Sequence, residues 1–101
     1  MTKLEEIVTR GWLKENEEIY LPWRGDQFIG IIRESGKFIE TKLGKFASPS
    51  AAAGKLLAVI DTEGVLRRHE KTPDEVVTNG WLRWKRWDGK YLIEIRKRLN
   101  D

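Results

Sequence analysis

The stretch EIYLPWRGDQFIGIIRESGKFIETKL, residues 18–43, holds the reading that decides the fold. Glu18 to Trp23 and Gln27 to Glu34 are two strand-like runs around a Gly25-Asp26 turn. The second run carries Phe28, Ile29, Ile31 and Ile32, apolar on both faces, which is the pattern of a central strand. Ser35-Gly36-Lys37 then turns the chain into a third run, Phe38 to Leu43. Three consecutive strands joined by short turns predict an antiparallel meander. Arg24-Gly25-Asp26 also spells an adhesion tripeptide, but between two strands it reads as the hairpin turn.

On the N-terminal side, Thr2 and Glu5 have the spacing of a capping box, Leu4, Ile7 and Val8 form an apolar stripe, and Gly11 supplies a left-handed stop. A short packing helix is expected there. On the C-terminal side, residues 44–53 read as a loop opening into a helix with Ser48 as N-cap, Pro49 in the first helical position and alanines beyond, running to about Ile60. Residues 61–78 read as a polar, partly helical excursion punctuated by Gly64 and Pro73, with a second helix-start signal at Thr72-Pro73-Asp74-Glu75 and a basic cluster at Arg67, Arg68, His69 and Lys71.

Asn79-Gly80 then feeds a strand-like run, Trp81 to Trp87. Regular alternation puts Trp81, Arg83, Lys85 and Trp87 on one face and Leu82, Trp84 and Arg86 on the other, with Leu82 and Trp84 toward the core and Trp81 partly exposed. Asp88-Gly89 turns the chain into a last helix, with Leu92, Ile95 and Leu99 inward and Arg96, Lys97 and Arg98 outward. The expected architecture is α+β: one domain over residues 1–101, a small antiparallel sheet packed with about three helices.

At 101 residues the chain supports one modest core. It has no cysteine, which excludes disulfides, thiolate metal sites and cysteine nucleophiles and agrees with a reducing cytoplasm. No apolar run reaches the length of a membrane span, and the N-terminus lacks the apolar core of a signal peptide, so a cytoplasmic protein without membrane contact is expected. The net charge of +3 is uneven: residues 1–50 balance eight cations against eight acids, whereas 51–101 carry eleven against eight. Within 79–99, seven cations face only Asp88 and Glu94, an electrostatic footprint suited to phosphates.

Two segments point to chemistry. At the Ser48 helix start, backbone donors, the Ser50 hydroxyl and the Lys45 ammonium have the makings of an anion site. In the second, flat aromatic surface alternates with Arg83 and Lys85, as suits bases and backbone of a nucleic acid. Neither has the residues of a catalytic centre, and no cofactor is expected.

Taken in order, Leu4 to Leu13, Gly44-Lys45-Phe46-Ala47-Ser48-Pro49-Ser50-Ala51-Ala52-Ala53, Asn79-Gly80-Trp81-Leu82-Arg83-Trp84, and Leu92 to Arg96 resemble the RAMA domain, the restriction enzyme adenine methylase associated module, over nearly the whole chain. The resemblance implies a non-catalytic reader of modified DNA, N6-methyladenine above all, working with an effector nuclease or methyltransferase in restriction or defence. It maps the family's motif onto Ser48, Pro49, Ser50, Asn79, Gly80, Trp81 and Trp84. Together with the charge pattern it gives Lys45, Ser48, Ser50, Asn79, Trp81, Arg83 and Lys85 as DNA-binding candidates. Twenty-five residues separate Ala53 from Asn79, more than the family's short connection, so 61–78 reads as an insertion. It either extends the DNA contact through Arg67, Arg68 and Lys71 or changes which modification is accepted.

Two other classes compete. Asp26 followed by Glu40-Thr41-Lys42 has the order of a small metal-dependent nuclease, with two carboxylates for a divalent ion and a lysine for the attacking water. Trp12, Trp23 and Trp87 together fit the greasy patch of a protein-interaction adaptor. His69 has no nearby ligand partner in the sequence, so it supports neither metal binding nor acid-base chemistry.

Overall fold

The alternation in residues 18–46 folds as an antiparallel sheet of four strands in the order β1-β2-β3-β4. These are β1 (Glu18–Trp23), β2 (Asp26–Arg33), β3 (Phe38–Thr41) and β4 (Gly44–Phe46). The structure, a computed structural model, describes residues 1–23, 25–60 and 79–100. Arg67, Arg68, His69, Lys71, the helix-start signal at Thr72 and the whole 61–78 insertion lie outside the described residues.

The meander is as expected, with one addition. The third run ends at Thr41 instead of Leu43, and Lys42-Leu43 turns the chain into a short fourth strand where a loop was expected. The Thr41 hydroxyl makes that turn, accepting from Leu43 N–H (3.1 Å) and donating to Gly44 O (3.3 Å). The apolar composition of β2 on both faces fits its place between β1 and β3.

The faces of the sheet differ. Ile19, Leu21, Ile32 and Ile39 point into the core and are fully buried. Tyr20, Gln27, Ile29 and Ile31 lie on the other face, where Tyr20 pairs directly with Ile29 and Gln27 with Pro22. One core cluster joins the buried strand residues to Leu4 and Ile7 of α1 (Lys3–Thr9), Ala52, Ala53, Leu56 and Leu57 of α2 (Pro49–Ile60), and Leu92 and Ile95 of α3 (Leu92–Arg96). Among the described residues the result is a two-layer α+β domain whose other sheet face exposes Gln27 and Ile29.

Local signals set the ends of α1. Thr2 and Glu5 form the expected capping box, with Glu5 N–H donating to Thr2 Oγ1 (3.2 Å) and Thr2 N–H to Glu5 Oε1 (3.0 Å). The Thr2 backbone donor holds the Glu5 carboxyl below its ordinary pKa of 4.5. At the other end Gly11, at φ 80°, donates to Val8 O (2.9 Å) while Trp12 N–H reaches back to Ile7 O (3.1 Å), a Schellman stop.

Candidate nucleic-acid interface

The two segments that carry the resemblance are each other's partners. Ser48 caps α2 as expected, its Oγ accepting from Ala51 N–H at 3.1 Å. Ser50 Oγ, expected to be open to an anion, accepts from Gly80 N–H at 2.9 Å, across thirty residues of sequence. Trp84 Nε1 donates to Pro49 O at 3.0 Å, and Asn79 Oδ1 accepts from Trp81 N–H at 3.1 Å. Gly80 is buried with its Cα against the start of α2, and a Cβ there would collide with the backbone of Pro49 and Ser50. The helix start is therefore packed against the Asn79-Gly80 turn. The expected convergence of a free hydroxyl and an ammonium on one anion is replaced by this closed junction. The remaining member of that expected site, Lys45, has its Nζ 3.7 Å from Glu34 Oε2 and 6.0 Å from the Phe38 ring centre.

The regular strand expected over 81–87 is also corrected. Gly80–Leu82 forms a 3-10 turn, because Gly80 O accepts from both Arg83 and Trp84 N–H, each at 3.0 Å. The turn rotates its side chains out of period-two register. Trp81, expected partly exposed, is 7% exposed, with the Arg96 guanidinium 5.0 Å over its ring. Leu82, expected in the core, is 56% exposed. Trp84 is fully buried as expected, and its six-membered ring lies on Gly30 of β2, where an added Cβ would sit 3.1–3.2 Å from the indole.

Past Trp84 the chain returns to extended structure and docks on the free edge of β1. Tyr20 and Lys85 exchange both backbone hydrogen bonds (2.7 and 2.8 Å), and Lys85 also bridges to Tyr91. Between them residues 86–90 form a tight hairpin: Gly89 N–H donates to Arg86 O (3.0 Å), Arg86 N–H to Lys90 O (2.8 Å), and Gly89 takes φ 86°. Trp87 sits at the tip and is 72% exposed.

Cations stack on rings throughout this half of the molecule. Arg83 lies 5.2 Å over Trp23, Lys85 5.0 Å over Tyr91, and Arg10 and Arg98 lie 5.3 and 5.7 Å over Trp12. The Arg86 guanidinium donates to Glu17 (2.9 Å) and lies 3.9 Å from Asp88, so its charge is balanced. Of the three tryptophans expected to form an adaptor's patch, Trp12 and Trp23 pack against the core beneath arginines and are partly buried, and Trp87 is the one largely exposed.

Two depressions border this segment. One, of about 350 Å³, is lined by Pro22, Asn79, Leu82, Arg83 and Tyr91. The other, of about 400 Å³, is lined by Tyr20, Gln27, Lys85, Arg86, Trp87 and Gly89. The structure therefore brings Arg83 and Lys85 to open depressions and draws Ser48, Ser50 and Trp81 into the junction, while Asn79 does both, capping the 3-10 turn with its Oδ1 and lining the first depression. Sequence reasoning singled out neither Tyr20 nor Gln27. Their signal is the period-two pattern of β1 and β2, which puts both on the outer face, but nothing local shows that the 85–91 hairpin comes to lie beside them.

The nuclease candidates are engaged in other ways. Glu40 accepts from Arg33 Nε at 2.8 Å, and Lys42 Nζ lies 5.0 Å over Phe28. Among the described residues no group of three or more His, Asp or Glu is placed to hold a metal. No described helix is long and apolar enough to cross a membrane. Compared with known proteins, the chain matches no family model and no curated relative.

Proposed function

We propose that this chain is a non-catalytic DNA-binding module that reads a base modification, with N6-methyladenine the first to test and a cytoplasmic restriction or defence setting as its context. The observation that carries the reading is Trp87, 72% exposed at the tip of a hairpin whose flanks carry Lys85 and Lys90, beside a 400 Å³ depression. An exposed indole among cations is the combination that binds bases and phosphates together. The stacking role falls to Trp87, with Arg83, Lys85 and Lys90 as phosphate contacts and an effector nuclease or methyltransferase acting on what the module finds. The resemblance to RAMA domains adds the modified base. In this reading Ser48, Ser50, Asn79 and Trp81 serve by holding the junction.

Magnitudes limit how a methyl group is read. Burying one methyl is worth about 0.8 kcal/mol, a few-fold in affinity. Larger selectivity needs a shaped pocket that leaves a polar group of the unmodified base unpaired.

The test is a panel of short duplexes and single strands, each unmodified or carrying N6-methyladenine, 5-methylcytosine or 5-hydroxymethylcytosine, measured at two salt concentrations. DNA binding that weakens steeply with salt, with Arg83→Ala and Lys85→Ala weakening all sequences alike and flattening the salt slope by roughly one per lost phosphate contact, supports the reading. An unchanged slope in both variants, or no DNA binding at low salt, sinks it. The exposure of Trp87 also favours a second reading, an adaptor that docks a partner protein on that indole. Salt separates the two, because docking dominated by an aromatic anchor changes little between the two concentrations.

A further inference from the structure

The depression beside Trp87 has a chemistry more specific than general affinity for DNA. Tyr20 and Lys85 form a directly opposed pair at the sheet edge, and Gln27 lies on the outer face of the neighbouring strand. Arg86 contributes its wall with its guanidinium held between Glu17 and Asp88, both pairs largely shielded from solvent, so that its charge is already taken up. The Tyr20 hydroxyl donates to Glu18 Oε1 at 3.1 Å, which fixes the direction of its proton and pushes its pKa above 10.0. A recess whose arginine is already held by two carboxylates, whose lysine stands over the Tyr91 ring and whose rim carries one exposed indole suits a planar uncharged group inside it, with phosphate contacts left to its edge. Its volume, about 400 Å³ and at the small end of ligand sites, is ample for one base. The exposed Gln27 carboxamide offers a donor and an acceptor side by side, the arrangement that pairs bidentately with adenine N6 and N7.

We infer that this recess takes a single unstacked adenine, seated against Trp87 and read along its edge by Gln27, with the strand's phosphates passing over Lys85 and Lys90. The inference rests on the DNA-binding reading and deepens it: the base must leave the helical stack, and the unpairing that this requires is least for a base already unpaired.

Fluorescence anisotropy with four labelled probes tests it: a fully paired duplex, the same duplex with one bulged adenine, with one bulged thymine, and with an abasic residue at the bulge. The intact chain is expected to bind the adenine bulge about tenfold more tightly than the paired or abasic probe, as one added stacked base allows. Trp87→Ala should erase that difference, bringing the adenine bulge down to the affinity that the same variant shows for the paired and abasic probes, with an unaltered thermal melt showing that it folds. Trp87→Phe should restore part of the preference. Gln27→Ala should keep tighter binding of bulged over paired DNA but bring adenine and thymine bulges together. Equal binding of all four probes by the intact chain, or a bulge preference that survives Trp87→Ala, overturns the recess and leaves the DNA-binding reading standing. Absence of binding to every probe at low salt overturns that reading, and this inference with it.

Discussion

Residues 79–84 and 85–91 are alike in kind, each offering tryptophan beside positive charge, yet they have opposite fates. In the first, Trp81 and Trp84 are buried, and Ser50, Asn79 and the Trp84 indole N–H all have partners inside the junction. In the second, Trp87 projects from a three-residue turn with most of its surface in water. Composition alone does not distinguish a structural tryptophan from a recognition tryptophan. The backbone does. Gly80, lacking a Cβ, lets its turn close onto the helix start where the Trp84 indole donates to Pro49 O, and Gly89, at positive φ, closes the turn that carries Trp87 into solvent.

The contrast is most exposed to test at Trp84. Replacing a fully buried indole that spans Gly30 of the sheet and Pro49 of α2 by alanine should cost about 3 to 5 kcal/mol in urea unfolding. A loss under 1 kcal/mol would mean that the junction is not the structural half. Gly80→Ala should come next, destabilising by roughly 1 to 3 kcal/mol, because the added methyl meets main-chain atoms that do not yield as a side chain would. A neutral Gly80→Ala would remove close approach as the reason for glycine.

Ser50→Ala sharpens the comparison by leaving the Gly80 N–H without its acceptor, at a cost of about 1 to 3 kcal/mol. Ser48→Ala, which removes only a helix cap, should cost about 1 kcal/mol. If both variants fold and bind DNA as the intact chain does, these serines hold the fold and do not touch the ligand. If either folds and loses affinity, the division between the two regions is too sharp. Trp87→Ala should change stability by less than about 0.5 kcal/mol, as expected of an exposed tip. A larger loss would show that the tip is packed.

The smallest effect lies away from both regions and serves as their control. Glu5 has a lower pKa folded than unfolded, so its capping contribution is complete above its ordinary value of 4.5 and is lost as pH falls through the folded value. The stability gap between the intact chain and Glu5→Gln should therefore narrow over that acid range. A constant gap would exclude the carboxylate as its source.

Most of the scaffold was legible because its signals are local. The capping box at Thr2, the left-handed stop at Gly11, the Ser48-Pro49 helix start and the alternation in β1 to β3 each lie within a few neighbouring residues. What escaped depends on distant partners. β4 is three residues with a glycine and a lysine, too short to alternate, and it forms because β3 offers an edge. The 3-10 turn at Gly80 interrupts the alternation that put Trp81 outside, and its anchor at Ser50 is thirty residues away. At the candidate site, the cations and Trp87 stand out in the sequence. Tyr20 and Gln27 join them only once the hairpin has docked on the β1 edge.

The separation of the tryptophans also makes the molecule its own spectroscopic reporter. Trp84, shielded from water, should emit toward the blue and resist collisional quenchers, whereas Trp87 should emit toward the red and be quenched first. Unfolding would be followed in the blue component and occupancy of the recess in the accessible fraction, from one unlabelled sample. Trp87→Phe would diminish the second signal, leaving the first and the smaller share of the partly exposed Trp12 and Trp23.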